Sequence, residues 1–567
     1  MTIKLTRRQV PENKITNTEL DGILHDIFAA RGIKDQSELD LRLANLLPIS
    51  SLANTDSAAE LILDKIQRNR KILIIADFDA DGATACALML RTLSQLNANV
   101  SYIVPNRARH GYGLSQELAL EILQLKPELL ITVDNGISSF EGIKIAHDHN
   151  IQVIVTDHHL PAAELPVADI IINPNLKNET FASKNLCGVG VAFYLACALH
   201  KKLQEINWYE QKNLEPLNLT SLLDLVALGT VADVVVLDKN NRILIKAGLG
   251  QIRSGKACDG INALFKITGN NPQYALASDL AFKIAPRINA AGRLEDMSIG
   301  IECLATNDMA KTLKLAAMLD QINIERRAIE QEMQAEAKQI VNGFHTDDNL
   351  PFGLCLYKKS WHEGIVGIVA GRLKDKLHRP TIVFAQSGGK FKGSARSVTK
   401  INIRDALESI DKMNPGLIDK FGGHAMAAGL MIAPDNFKDF TKAFDAVIRK
   451  ELDEADLKGE IMSDGELAEN EFTLEFANLL QNISPWGQSF PEPVFDGMFS
   501  VIDQRVVGEK HLKMILKPEN CQVPLDAIAF NQKPLATSEK PIKMAYRLDV
   551  NRWQDNVSLQ LIVVHIF

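Results

Sequence analysis

Residues 71–82 read KILIIADFDADG, an apolar run that ends on alternating carboxylates at Asp77, Asp79 and Asp81. The stretch from Ile72 to Ile75 has the composition of a strand buried on both faces. Crowding three like charges at its end is costly, because they repel one another and resist leaving water. A bound divalent cation removes that cost, so the stretch points to a metal site at a strand end. Two blander readings compete with it. A calcium-binding EF-hand loop also opens DxDxDG, but it carries a bidentate Glu at its twelfth position. Counted from Asp77 that position is Leu88, and a strand precedes the loop where an EF-hand has a helix. A solvated turn stays open on this stretch alone.

The surroundings repeat the pattern. Between about 70 and 240, short apolar runs (Lys71–Ile75, Val100–Val104, Leu129–Val133, Ile151–Val155, Ile170–Ile172) alternate with amphipathic stretches such as Ala83–Leu96 and Gln116–Leu125. That alternation predicts βαβ units and a doubly wound parallel sheet, whose ligands gather outside the carboxyl ends of the strands. Asp134 closes LLITVD, and Asp157, His158 and His159 close IQVIVTDHH. Asp233 ends LLDLVALGTVAD, read as a helix running into a turn. Hard carboxylates mixed with imidazole suit Mn²⁺ or Mg²⁺. The ligands suffice for two ions, and a pair about 3.5–4 Å apart clamps the attacking and leaving oxygens in phosphoester hydrolysis.

DFDADG, VDNG, TDHH and GTVAD resemble the four acidic motifs of the DHH phosphoesterase superfamily. PNRARHGYGLS, RINAAGRL, WHEGIVGIVAGRL, FGGHAMAAGL and PWGQSFPEPVFDG extend the resemblance to its bacterial single-strand-specific exonucleases, from about residue 70 to at least 500. The resemblance implies Asp79, Asp81, Asp134, His158 and Asp233 as metal ligands, with Asp134 bridging two ions. Asp77 either ligates directly or holds another ligand, and Asp157 orients a histidine. His159 is expected at the scissile phosphate, against the plainer reading of a core histidine bonded to backbone. Arg107, Arg109 and Tyr112 in PNRARHGYGLS, and Arg287, Asn289 and Arg293 in RINAAGRL, are expected to handle substrate phosphates; an exposed basic turn is the alternative for the first set. In a second lobe, GSARS offers a backbone concavity with Ser394 and Arg396 for a terminal phosphate, beside a tight turn at Gly422, Gly423 and His424.

The implied activity is removal of 5′ mononucleotides from single-stranded DNA in the 5′-to-3′ direction, in recombination and repair. A phosphodiesterase for short oligonucleotides or cyclic dinucleotides, and a non-catalytic single-strand-binding scaffold, are the rival readings. A single-strand-binding protein and recombination helicases are the expected protein partners, and the chain is expected to act as a monomer.

The organisation expected is a helical lead-in at 1–60 and a parallel-sheet catalytic domain at 61–304. A connecting helix at 305–345, a second α/β domain at 346–455 and an OB-like β-barrel at 456–567 follow. Residues 305–342 contain no Pro or Gly and would span roughly 57 Å as a helix. Of the barrel aromatics, Trp486, Phe490, Phe495 and Phe499 are expected to be mostly core, with a few rings free to stack on bases. Seven scattered cysteines without CxxC spacing suit a reducing cytoplasm and argue against a thiolate zinc site. No run of about 18 apolar residues appears, and the first residues lack a secretory apolar segment. The net charge of −8 argues against a non-specific nucleic-acid coat while leaving room for a local basic channel.

Overall fold

The computed structural model describes residues 3–12, 15–16, 19–20, 22–106, 109–344, 350–536, 540–554 and 556–567. Its contacts divide the chain into two units, Arg8–Ile322 with Asp464–Ile566, and Met1–Arg7 with Asn323–Ser463 and Phe567. One helix, Met309–Phe344, carries the division at Ile322.

The larger unit is built on a five-stranded parallel sheet in the order Val100–Ile103, Ile72–Ala76, Leu129–Val133, Gln152–Thr156, Ile170–Ile172. Strand alternation sends Ile72 and Ile74 into one core and Leu73 and Ile75 into the other. The first core includes residues of Thr55–Gln67, Ala80–Gln95 and Gly188–Glu205, the second residues of Gln116–Ile122 and Phe140–Asp148. Helix Leu223–Ala232 is apolar nearly all round and is buried, as such a helix must be. The sheet's order reverses between Ile72–Ala76 and Leu129–Val133, whose chain neighbours fan out to opposite sides. A crevice opens at that reversal, and Asp77 and Asp134 are the residues that leave the two strands there.

The same unit ends in a closed five-stranded barrel, Phe495–Val507, His511–Pro518, Leu525–Ala529, Asn556–Ile566 and Ile542–Trp553 in spatial order. Phe490, Phe495 and Phe499 are buried, whereas Trp553 and Phe530 are more than half exposed. Helix Gly22–Ala29 leads to Arg31, whose guanidinium grips both oxygens of Asp464 at 2.7 and 3.0 Å and donates to the carbonyls of Ile27 and Pro491.

In the smaller unit a five-stranded sheet runs Lys420–Gly423, Ala427–Ile432, Lys390–Arg396, Thr381–Ser387, Leu354–Tyr357, with only the last pair parallel. Strand Lys4–Arg7 pairs in parallel with Glu460–Ser463. Gly393–Arg396 of GSARS lie inside strand Lys390–Arg396 rather than in a backbone concavity, with Ser397 just past its end, and Gly422–Gly423 close a strand. The reason is packing: a Cβ at Gly393 would meet Phe384 at 2.5 Å, so the glycine serves close sheet packing. Strand alternation still puts Ser394 and Arg396 on one face.

Arg31 and Asp464 side chains are almost fully buried, so removing one strands the other's charge. Asp464→Ala should cost about 3–5 kcal/mol and advance the first thermal transition in calorimetry. An unchanged transition would show that this pair does not hold helix Gly22–Ala29 in place.

Candidate active site

Helix Ala80–Gln95 begins inside the acidic motif, three residues before the sequence pattern suggests, because Asp79 caps it. Asp79 Oδ1 accepts the N–H groups of Asp81 and Gly82 at 2.9 and 3.0 Å. Asp81, in the first turn of that helix, accepts from Gly188 and Val189 N–H at 2.6 and 2.8 Å, the first residues of helix Gly188–Glu205. That helix start favours a negative charge. Gly188 permits the approach, since a Cβ there would lie 2.5 Å from Asp134 Cβ. On the other side helix Ala285–Leu294 crosses the loop so closely that a Cβ at Gly292 would overlap Phe78 O, and Asn289 Oδ1 accepts from Ala80 N–H at 2.8 Å.

Asp134 adopts a left-handed φ of 62° at the end of its strand. The next residue, Asn135, is fully buried and donates to Ile75 O and Val133 O at 3.0 and 2.9 Å, tying together the two strands that flank the crevice. Asp157 has both oxygens engaged: Oδ2 accepts from Ile137 N–H, and Oδ1 from the His158 and His159 N–H groups and from His159 Nδ1 at 2.7 Å. Asn175 and Asn173 donate to the carbonyls of His158 and His159 at 2.7 and 2.9 Å. His158 Nε2 lies 3.1 Å from Asp134 Oδ1 and 3.4 Å from Asp233 Oδ2. Asp233 sits just past helix Leu223–Ala232 and is followed by Val234 at a φ of 59°, a conformation β-branched residues rarely take. Tyr112 Oη donates to Asp134 O at 3.0 Å and lies 3.3 Å from His159 Nδ1.

Three sets of ligand atoms lie within 4.8 Å of one another: Asp77, Asp79 and Asp134; Asp81, His158 and Asp233; Asp134, His158 and His159. Burial, then neighbouring carboxylates, push the carboxyls of Asp77, Asp134 and Asp233 far above the ordinary range and that of Asp81 up to about 7. Burial alone would lower His159, but the hydrogen bond and charge of Asp157 outweigh it and raise the imidazole to about 9. Among the described residues Asp77 Oδ1 and Asp134 Oδ1 are buried and accept no hydrogen bond. Unsatisfied buried carboxylate oxygens of this kind are expensive unless a cation meets them. The donor set, oxygens plus imidazole with no thiolate, fits Mn²⁺ or Mg²⁺.

The substrate-handling candidates are dispersed. Arg107 lies outside the described residues. Arg109 is largely exposed and pairs with Glu121 at 3.2 Å. Arg287 donates to Asp320 at 2.8 Å, and Arg293 occupies the last turn of the helix that carries Asn289. In the smaller unit Arg396 Nη1 donates to Ser394 Oγ at 3.0 Å. The two meet the start of helix Val366–Leu377, where a Cβ on Gly367 would come within 2.9 Å of both. His424 N–H donates to Ala427 O. Asn135, Asn173, Asn175, Gly188 and Gly367 went unmarked in the sequence; VDNG and INPN, each directly after an apolar run, were the available signals.

Comparison with known proteins places these units. Residues 71–230 match the DHH family N-terminal domain, 351–450 the DHHA1 domain and 463–565 the RecJ OB domain. The single-stranded-DNA-specific exonuclease RecJ of Dickeya dadantii is 47% identical over 570 residues, covering 100% of this chain and 99% of its own. Crystal structures of Thermus thermophilus RecJ with Mn²⁺ and with Mg²⁺ align at TM-scores of 0.77 and 0.75 and identities of 28% and 26%. They cover 95% and 100% of this chain, and 75% and 78% of theirs.

Adding Mn²⁺ at about one hundred times its Kd should stabilise the protein by about 2.7 kcal/mol per site, seen as a rise in melting temperature that EDTA reverses. The same titration on Asp134→Asn should give a much smaller rise. An equal rise in both proteins would remove Asp134 from the site.

Proposed function

The chain belongs to the RecJ family of single-stranded-DNA-specific exonucleases, and from that premise we propose that it removes 5′ mononucleotides from single-stranded DNA, using two Mn²⁺ or Mg²⁺ ions. The observation that carries the reading is the convergence of Asp77, Asp79 and Asp134 beside Asp81, His158 and Asp233 at the sheet's reversal point. Asp134 shares both neighbourhoods and would bridge the ions; the hydrogen-bond-free Oδ1 of Asp77 supports direct ligation. When bound, the ions supply a clamp for the attacking and leaving oxygens of the phosphate.

The chain's own groups do the rest. Asp157 holds His159 by its Nδ1 and by its backbone N–H, so the imidazole is oriented before substrate arrives. His159 then stabilises charge developing on the scissile phosphate, with Tyr112 against its edge. Asn289 braces the loop that carries Asp79 and Asp81. Arg107, Arg109, Arg287 and Arg293 are the candidates to guide the strand's phosphates, Arg109 and Arg287 sharing their charge with Glu121 and Asp320. In the smaller unit Ser394, Arg396 and the N-terminus of helix Val366–Leu377 form an anion site suited to the 5′ phosphate, with His424 a further contact. Every implied ligand is present, which opposes a non-catalytic scaffold. The closed barrel opposes a dinucleotide-only substrate, because small substrates need no extended binding surface. The activity fits recombination and repair, where a helicase or a single-strand-binding protein would present the strand to a monomeric enzyme.

With Mn²⁺ the protein should degrade a 5′-phosphorylated single strand and leave duplex intact; an undigested single strand would refute the assignment. His159→Ala should lower kcat by about 10²- to 10⁴-fold, and full activity would return His159 to a structural role. Arg396→Ala should erase the preference for 5′-phosphorylated over 5′-hydroxyl ends, measured as a ratio of kcat/KM. An unchanged ratio would place the 5′ phosphate elsewhere.

A further inference from the structure

Immediately beyond Asp233 the larger unit holds a cleft of about 480 Å³. Its walls are the end of helix Leu223–Ala232 with Val234, the single π-helical turn Leu280–Ile284, and the segment around Trp486 that leads into the barrel. Trp486 is a fixed wall: its Nε1 donates to Leu480 O at 2.8 Å, and its ring stacks on Phe490 at 5.3 Å. Phe282 and Val234 are left open instead, 80% and 62% exposed. An aromatic ring so exposed forgoes most of its burial energy, and here it stands on the rim of an apolar cleft.

The charges lining the cleft are mostly cationic. Lys246, Arg253 and Arg547 line it, and the acidic lining residue, Glu492, is already paired with Arg547 at 2.5 Å. Arg552 lies close enough to Arg253 to repel it and sits over the Tyr274 ring at 4.4 Å. Flat apolar surface bordered by cations matches a strand of stacked bases joined by phosphates better than it matches an apolar peptide. The cleft adjoins the catalytic centre along the chain, since Ala232 and Val234, the residues flanking Asp233, both line it.

We propose that this cleft is a base-binding subsite for the nucleotides on the 3′ side of the scissile bond, with Phe282 as the stacking ring and Arg253 and Arg547 meeting the phosphates. The inference rests on the exonuclease reading: an enzyme that shortens a strand from its 5′ end has one nucleotide on the 5′ side of the cut, and all remaining length lies 3′. The cleft's volume accommodates one or two bases, within the range of about 300–1,000 Å³ usual for ligand sites.

The test uses the full-length Mn²⁺ enzyme with Phe282→Ala, Phe282→Leu and Phe282→Trp on a 5′-phosphorylated dinucleotide and a 20-mer, the latter also carrying one abasic position stepped along its length. Phe282→Ala should raise KM for the 20-mer about 5- to 100-fold, the loss of one stacked base, with a smaller change in kcat. The rise should be confined to strands long enough to reach the cleft. Phe282→Trp should restore KM and Phe282→Leu should not. An abasic residue two or three steps 3′ of the cut should raise KM for the wild type and add nothing in Phe282→Ala. An unchanged KM in Phe282→Ala, or an equal rise on the dinucleotide, would overturn the proposal and leave the cleft to another occupant such as an apolar peptide. A wild type that degrades neither substrate would instead overturn the exonuclease reading.

Discussion

The site is organised by one electrostatic constraint: Asp77, Asp81, Asp134 and Asp233 are packed at a sheet crevice where burial and mutual repulsion oppose their ionisation. Two unit charges 4 Å apart repel by about 4 kcal/mol at an effective dielectric constant near 20. A few such pairs rival the whole stability of an ordinary domain, about 5–15 kcal/mol. The polypeptide relieves part of this itself. The start of helix Gly188–Glu205 meets Asp81, and the start of Ala80–Gln95 meets Asp79. Asp77 Oδ1 and Asp134 Oδ1 receive no hydrogen bond among the described residues, so divalent cations complete the balance.

The fold makes that crowding possible. Parallel strands deliver their ends to one rim, and the reversal between Ile72–Ala76 and Leu129–Val133 leaves room there for side chains from both. Asn135 ties those strands across the gap, and Asp157, fully used by backbone and imidazole, sets His158 and His159 against the rim. Gly188 and Gly292 let two helices close on the acidic loop where any side chain would collide. Ligand positions are therefore held by rigid elements and not by the loop alone.

Much of this was legible in the sequence, for physical reasons that are local. Like charges directly after a fully apolar run are intelligible only at a strand end, and the same pattern at Asp134 and at Asp157–His159 marks the other strands of a parallel sheet. What escaped was set by residues distant in the chain. Arg109 and Arg287 read as phosphate ligands, and their carboxylate neighbours, Glu121 and Asp320, were not legible. GSARS reads as a backbone concavity, but Gly393 makes room for Phe384 packed from the neighbouring strand. Phe282 carries no local signal at all, because its exposure is decided by how the π-helical turn meets the segment leading to the barrel.

Anomalous diffraction from crystals grown with Mn²⁺ addresses the central claim most directly. Two peaks about 3.5–4 Å apart are expected, one against Asp77, Asp79 and Asp134 and the other against Asp134, His158 and Asp233, with Asp81 at its edge. No peak in the crevice, or a single ion that leaves Asp134 out of its coordination, would contradict the account.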